Sequence, residues 1–102
     1  MRTALEAKKG SEILLLDVRG LSSVTDYFLI VTGNNGPHLK ALTTEVAHVM
    51  KEAGRPPGRR SGSPESQWIA ADCLDFVVHI FAPSARAYYG LEKLWSDAKR
   101  VD

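Results

Sequence analysis

From His38 to Ala53 the apolar residues Leu39, Leu42, Val46, Val49 and Met50 recur at three- and four-residue steps. That spacing places them on one stripe of an amphipathic helix, closed by Gly54. A helix with a single apolar stripe has to bury it against another layer. The rest of the chain supplies that layer as strand-sized apolar runs. Glu12 to Val18 (EILLLDV) lies between Gly10 and Gly20, and Tyr27 to Thr32 (YFLIVT) is rich in aromatic and β-branched residues. The link between them is short and turn-rich, so they are expected to be antiparallel neighbours. Gln67 to Ala71 and Leu74 to Phe81 read as two more strands, joined by a tight turn at Asp72-Cys73.

The remaining segments fit around this frame. Thr3 to Lys9 is a short helix former stopped by Gly10. Gly33 to Pro37 is a turn that opens the long helix. Arg55 to Ser66 is rich in Pro, Gly and Ser, and Pro56-Pro57 suits only a sheet edge. An edge strand near Gly58 to Ser61 is expected. Ser84 is a candidate N-cap for a last helical segment over Ala85 to Leu94, with Leu91, Leu94 and Trp95 on one side. The expected fold class is α/β (α+β-like): a single mixed β-sheet of four to five strands flanked by helices, with one domain over residues 1–102.

Charge narrows the function. Thirteen basic and twelve acidic residues give a formal net charge of +1. A domain built to grip phosphate backbones is usually strongly basic, so a protein partner fits better. The lone Cys73 excludes a disulfide framework within the chain and favours a reducing compartment. No apolar run approaches the roughly 20 residues that span a bilayer, and the first ten residues lack the apolar core of a secretory signal. The expected location is the cytoplasm, without membrane contact.

No His/Cys cluster has metal-ligand spacing, and no metal or other cofactor is expected. His79 alternates with Val78 and Ile80 along its strand, so it reads as a half-buried histidine held by a hydrogen bond. Asp17, Asp26, Asp72 and Asp75 sit at strand ends. Such carboxylates can hold a divalent cation for nucleotidyl transfer, and Gly33-Asn34-Asn35-Gly36 is the one turn that could accompany it. Turn closure by Asp17 and Asp26 is the simpler account, and no catalytic residue is assigned. Arg55, Arg59 and Arg60 form a weak cationic footprint that is compatible with a minor contact to RNA. Aromatics are the stronger lead. Adjacent Tyr88 and Tyr89 project about 100° apart on a helix, so both cannot enter one core. Trp and Tyr are enriched in interface hot spots. Trp68 is read as an interface residue and Trp95 as core.

Three ordered blocks then resemble the Iojap-like family of ribosomal silencing factors. The first is Asp17 to Phe28 (DVRGLSSVTDYF), continued by Thr32-Gly33, His38, Lys40-Ala41-Leu42 and Glu45-Val46. The second is Trp68-Ile69, Asp72 and Asp75 to Phe81. The third is Tyr88-Tyr89 with Leu91 to Trp95. The chain departs from the family at Asn34 to Pro37, and at Cys73 and Leu74, where a glycine is usual. The resemblance implies a nucleotidyltransferase-like fold without that activity, hence not an enzyme. It implies docking on large-subunit ribosomal protein fourteen and steric obstruction of subunit joining, which represses translation under nutrient limitation. Matching positions make Trp68, Asp72, Asp75, His79, Tyr88 and Tyr89 the expected partner-binding residues, with Trp68 as apolar anchor and the two aspartates facing basic groups. A homodimer through the same surface is also compatible with the family.

Overall fold

The computed structural model describes residues 1–23, 25–55, 58–73 and 75–101. The expectations for Pro56-Pro57 and for Leu74 fall outside them. In chain order the elements are α1 (Arg2–Ala7), β1 (Ser11–Asp17), β2 (Tyr27–Thr32), α2 (Gly36–Glu52), β3 (Arg60–Ser63), β4 (Trp68–Asp72), β5 (Phe76–Phe81), α3 (Pro83–Tyr89), α4 (Leu91–Leu94) and β6 (Lys99–Val101). The strands form one mixed sheet in the order β3-β4-β5-β2-β1-β6. Among the described strands only the β2–β5 pair is parallel; the neighbours β1–β2 are antiparallel, as their short link requires.

The sheet has six strands where four to five were expected. The addition is β6, which pairs with β1 through Leu15↔Val101, Leu16↔Arg100 and Asp17↔Lys99. Three residues, two of them charged, carry no alternation that a sequence window can detect. The last helical segment also differs from expectation. Ala82 is the N-cap and Pro83 opens α3, while Gly90 takes a left-handed conformation (φ 57°) and separates α3 from α4.

The termini of α2 follow from its sequence. The Asn35 side chain accepts a hydrogen bond from the His38 amide (2.9 Å), and Pro37 lies in the first turn. At the other end Gly54 (φ 75°) donates to the Lys51 carbonyl and Arg55 to the Met50 carbonyl, a Schellman closure. The His38 ring fastens α1 to this helix: Nδ1 accepts from the Asn34 amide, and Nε2 lies 2.8 Å from the Lys8 carbonyl oxygen.

Side-chain alternation divides the core between the two faces of the sheet. On one face Leu29, Val31, Ile69, Ala71, Val78 and Ile80 pack under α1 and α2, against Leu5, Leu39, Leu42, Val46 and Met50. On the other, Leu14, Leu16, Phe28, Ile30 and Phe81 pack with Ala85, Leu91 and Trp95. Leu94, expected beside Leu91 and Trp95, instead points outward and is 75% exposed. Leu94 and Trp95 are adjacent, about 100° apart around a helix, so with Leu91 and Trp95 turned to the sheet Leu94 is carried away from it.

Candidate functional site: an uncovered sheet face edged by aromatic rings

The second face is covered unevenly for a reason of length. Six strands at about 4.8 Å spacing make a sheet roughly 24 Å wide. The seven residues of α3 extend only about 10 Å and the four of α4 about 6 Å. Their buried contacts fall on β1, β2 and the end of β5. Over β4 the face stays open. Trp68, Ala70 and Asp72 are half-buried there, whereas Ile69 and Ala71 on the opposite face are buried.

The register sets the open β4 column beside β5, where Val77 is half-buried and His79 and Phe81 are buried. Trp68 stands opposite Phe81, Ala70 opposite His79 and Asp72 opposite Val77. Rings gather at one end. Trp68 stacks on Phe81 (centroids 5.0 Å) and meets Tyr89 at 4.7 Å, and Tyr88 packs edge-on against Tyr89 at 5.2 Å. Tyr88 is 83% exposed and Tyr89 46%. The small Ala70 side chain lies between this aromatic end and the acidic end at Asp72, about 13 Å along the strand.

His79 sits beside the open column. The Trp68 indole N–H donates to its Nδ1 (3.1 Å). Because an indole nitrogen can only donate, Nδ1 is the unprotonated nitrogen and the proton of the neutral ring is on Nε2. Nε2 has no hydrogen-bond partner among the described residues. The ring meets Phe28 edge-on at 4.9 Å. Burial pushes its pKa down to about 4, so it is neutral at pH 7. The expected hydrogen-bonded histidine is therefore present, more deeply buried than its strand position suggested.

The other named residues separate from this group. Asp75 lies in the β4–β5 turn, exposed, and pairs with Arg55 at 3.4 Å. Asp72, expected in the turn, lies inside β4, and Cys73 is buried, which pushes its thiol pKa up to about 11. Asp17 is engaged by the Arg19 guanidinium (2.7 Å) and backbone amide, which hold its pKa below the usual carboxylate range. Arg19 in turn lies over the Tyr27 ring at 5.2 Å. Among the described residues no three His, Cys, Asp or Glu side chains come together as a metal-binding group. Arg59 and Arg60 are exposed at the β3 edge.

Nothing in the sequence pattern pointed to Arg86, which is central to this face. Its Nε donates to the Glu92 carboxylate (2.7 Å), and its Nη1 donates to the Glu12 carbonyl (2.7 Å) and the Thr32 hydroxyl (2.7 Å). Residues six apart on one straight helix point about 240° from each other. Only the turn at Gly90 brings Glu92 back to Arg86.

Comparison with known proteins agrees with these blocks. The family model described as "Ribosomal silencing factor during starvation" matches residues 1–102. A ribosomal silencing factor of Bacillus subtilis is 40% identical over 97% of this chain and 84% of its own length. A crystal structure of a Chromobacterium violaceum protein, 36% identical, superposes with a TM-score of 0.88 over 93% of this chain and 79% of that one. A mouse protein named for mitochondrial assembly of the ribosomal large subunit is 28% identical over 90% of this chain and 42% of its own length. No described helix is long and apolar enough to cross a membrane. With a match over its whole length, the chain belongs to the family of ribosomal silencing factors during starvation.

Proposed function

We propose that this protein docks through the open β4–β5 face on ribosomal protein fourteen of the large ribosomal subunit and obstructs joining of the small subunit, lowering translation when nutrients are limiting. The observation that carries the reading is the ring group of half-buried Trp68 with exposed Tyr88 and Tyr89, beside the β4 face that carries Asp72. Rings that are half-buried in the free protein can complete their burial in a partner, which is how interface anchors contribute. Asp72 and, at the neighbouring turn, Asp75 offer carboxylates to basic groups and set orientation. Family membership and the mouse relative's name favour the large subunit as partner.

The mechanism is steric and asks no bond chemistry of the chain. A domain with extents of 33 × 33 × 24 Å occupies volume that a subunit bridge would need. In this reading the likeness to nucleotidyltransferases is one of architecture, the protein acts in the cytoplasm, and Arg59 and Arg60 make at most a secondary contact with ribosomal RNA. The test is sedimentation with isolated large and small subunits separately. Co-sedimentation is expected with the large subunit, and it should be lost in a folded Trp68→Ala protein. Unchanged binding by that variant removes Trp68 from the site. A homodimer through the same face is the competing occupant; equilibrium sedimentation showing a dimer that large subunits do not dissociate would favour it.

A further inference from the structure

We infer that Arg86 is a positioning residue for docking: it holds the short α3–α4 turn in the attitude that presents Tyr88 and Tyr89. The inference rests on the docking reading above. Three observations lead to it. First, α3 cannot hold itself. Seven residues lie well below the length at which a helix is stable alone. Its one buried residue is Ala85; Tyr88 is mostly in solvent, and Tyr89 keeps only one side against Trp68. Second, polar fastening replaces apolar fastening. The Arg86 side chain is only 10% exposed, and its guanidinium reaches β1, β2 and α4 together. Third, the strand end is shaped to receive it. The β1–β2 register shifts between Ser11 and Leu14, and Glu12 takes φ 49°, a left-handed conformation that costs a non-glycine residue energy. The Glu12 carbonyl at this irregularity is the one that Arg86 binds.

Loss of the guanidinium removes all three tethers, and the rings of Tyr88 and Tyr89 then have to be ordered during docking. Ordering such side chains on binding weakens affinity by roughly tenfold in total. The pair Arg86–Glu92 is the linchpin: the hydrogen bond from Arg86 is the main reason that the Glu92 pKa lies below its usual value.

The test measures binding to isolated large subunits together with amide exchange for the wild type, Arg86→Met, Arg86→Lys, Tyr88→Ala and Val46→Ala. Val46 is a buried residue of α2, packed against the far face of the sheet, so its variant controls for lost stability alone. Arg86→Met is expected to bind roughly tenfold more weakly, with faster exchange confined to residues 86–95 and unchanged exchange in β2 and β5. Arg86→Lys should be intermediate, and Val46→Ala should bind as the wild type does once folded. Binding by Arg86→Met that is no weaker than that of Val46→Ala overturns the inference. If Arg86→Met fails to fold, Glu92→Gln replaces it, with a smaller loss and the same localised exchange expected; uniform exchange across the sheet would overturn the idea. Weakening by Tyr88→Ala without weakening by Arg86→Met sinks this inference alone, whereas failure of the wild type to bind sinks the docking reading and Arg86's part in it.

Discussion

Acid should loosen this protein through one buried ring. The His79 pKa is pushed from 6.5 to about 4 by burial. In the unfolded chain the imidazole protonates near 6.5, so below that pH the unfolded state binds more protons than the folded one. Stability therefore falls as pH drops from about 6.5 to about 4 and levels off below. At 1.36 kcal/mol per pKa unit the full loss is about 3 kcal/mol, of which about 2 kcal/mol is already gone at pH 5. That proton goes onto Nδ1, the acceptor of the indole N–H, so it also ends the bond from Trp68. The assay is urea unfolding at pH 7.5 and pH 5 for the wild type and for His79→Gln, whose amide oxygen can still accept the indole N–H. Carboxylate titrations are common to both proteins and cancel. The wild type should lose about 2 kcal/mol more than the variant between the two pH values. Equal losses would refute the account of His79 as a buried neutral base.

Trp68→Phe keeps the stacking on Phe81 but leaves the His79 Nδ1 without its donor, and should cost about 1–3 kcal/mol in urea unfolding. Tyr88→Ala should change stability by no more than about 0.5 kcal/mol, because the side chain is mostly in solvent, and yet reduce co-sedimentation with large subunits. Gly62→Ala should destabilise by more than about 1 kcal/mol, since Gly62 has φ 84° and an added Cβ would collide with the Trp68 carbonyl oxygen; a melting temperature equal to wild type would contradict this.

The frame of this fold was legible wherever periodicity or turn chemistry was strong. The stripe from Leu39 to Met50, the strand runs at β1 and β2, and the β4–β5 hairpin all appear near their expected positions. What stayed hidden depends on contacts between residues distant in sequence. β6 has three residues and forms only because the β1 edge is there to pair with it. The Trp68–His79 bond joins residues eleven apart that become diagonal neighbours once the β4–β5 register is set. Arg86 meets Glu92 only because Gly90 turns α4 back toward it, a contact that no sequence window carries. Of the candidate site, the ring residues were visible by type, whereas the separation of Asp75 onto the turn, paired with Arg55, was not.

The division of labour between the two sheet faces follows from the same geometry. The face under α1 and α2 is closed, and its buried Leu, Val and Ile side chains supply the apolar burial that a chain of 102 residues depends on. Closing the other face with a helix as long as α2 would add burial, and leaving Tyr88 outside alone forgoes about 2 kcal/mol. Yet a longer α3 would cover Ala70 and Asp72, and on the docking proposed above it would leave no strip for a partner. Short helices solve this only if something other than apolar area fixes them. Here the Arg86 tethers do so, beside the ring contact of Tyr89 with Trp68. Stability on one side and access on the other are thus set by helix length, and the polar fastening at Arg86 is what makes the shorter side tenable.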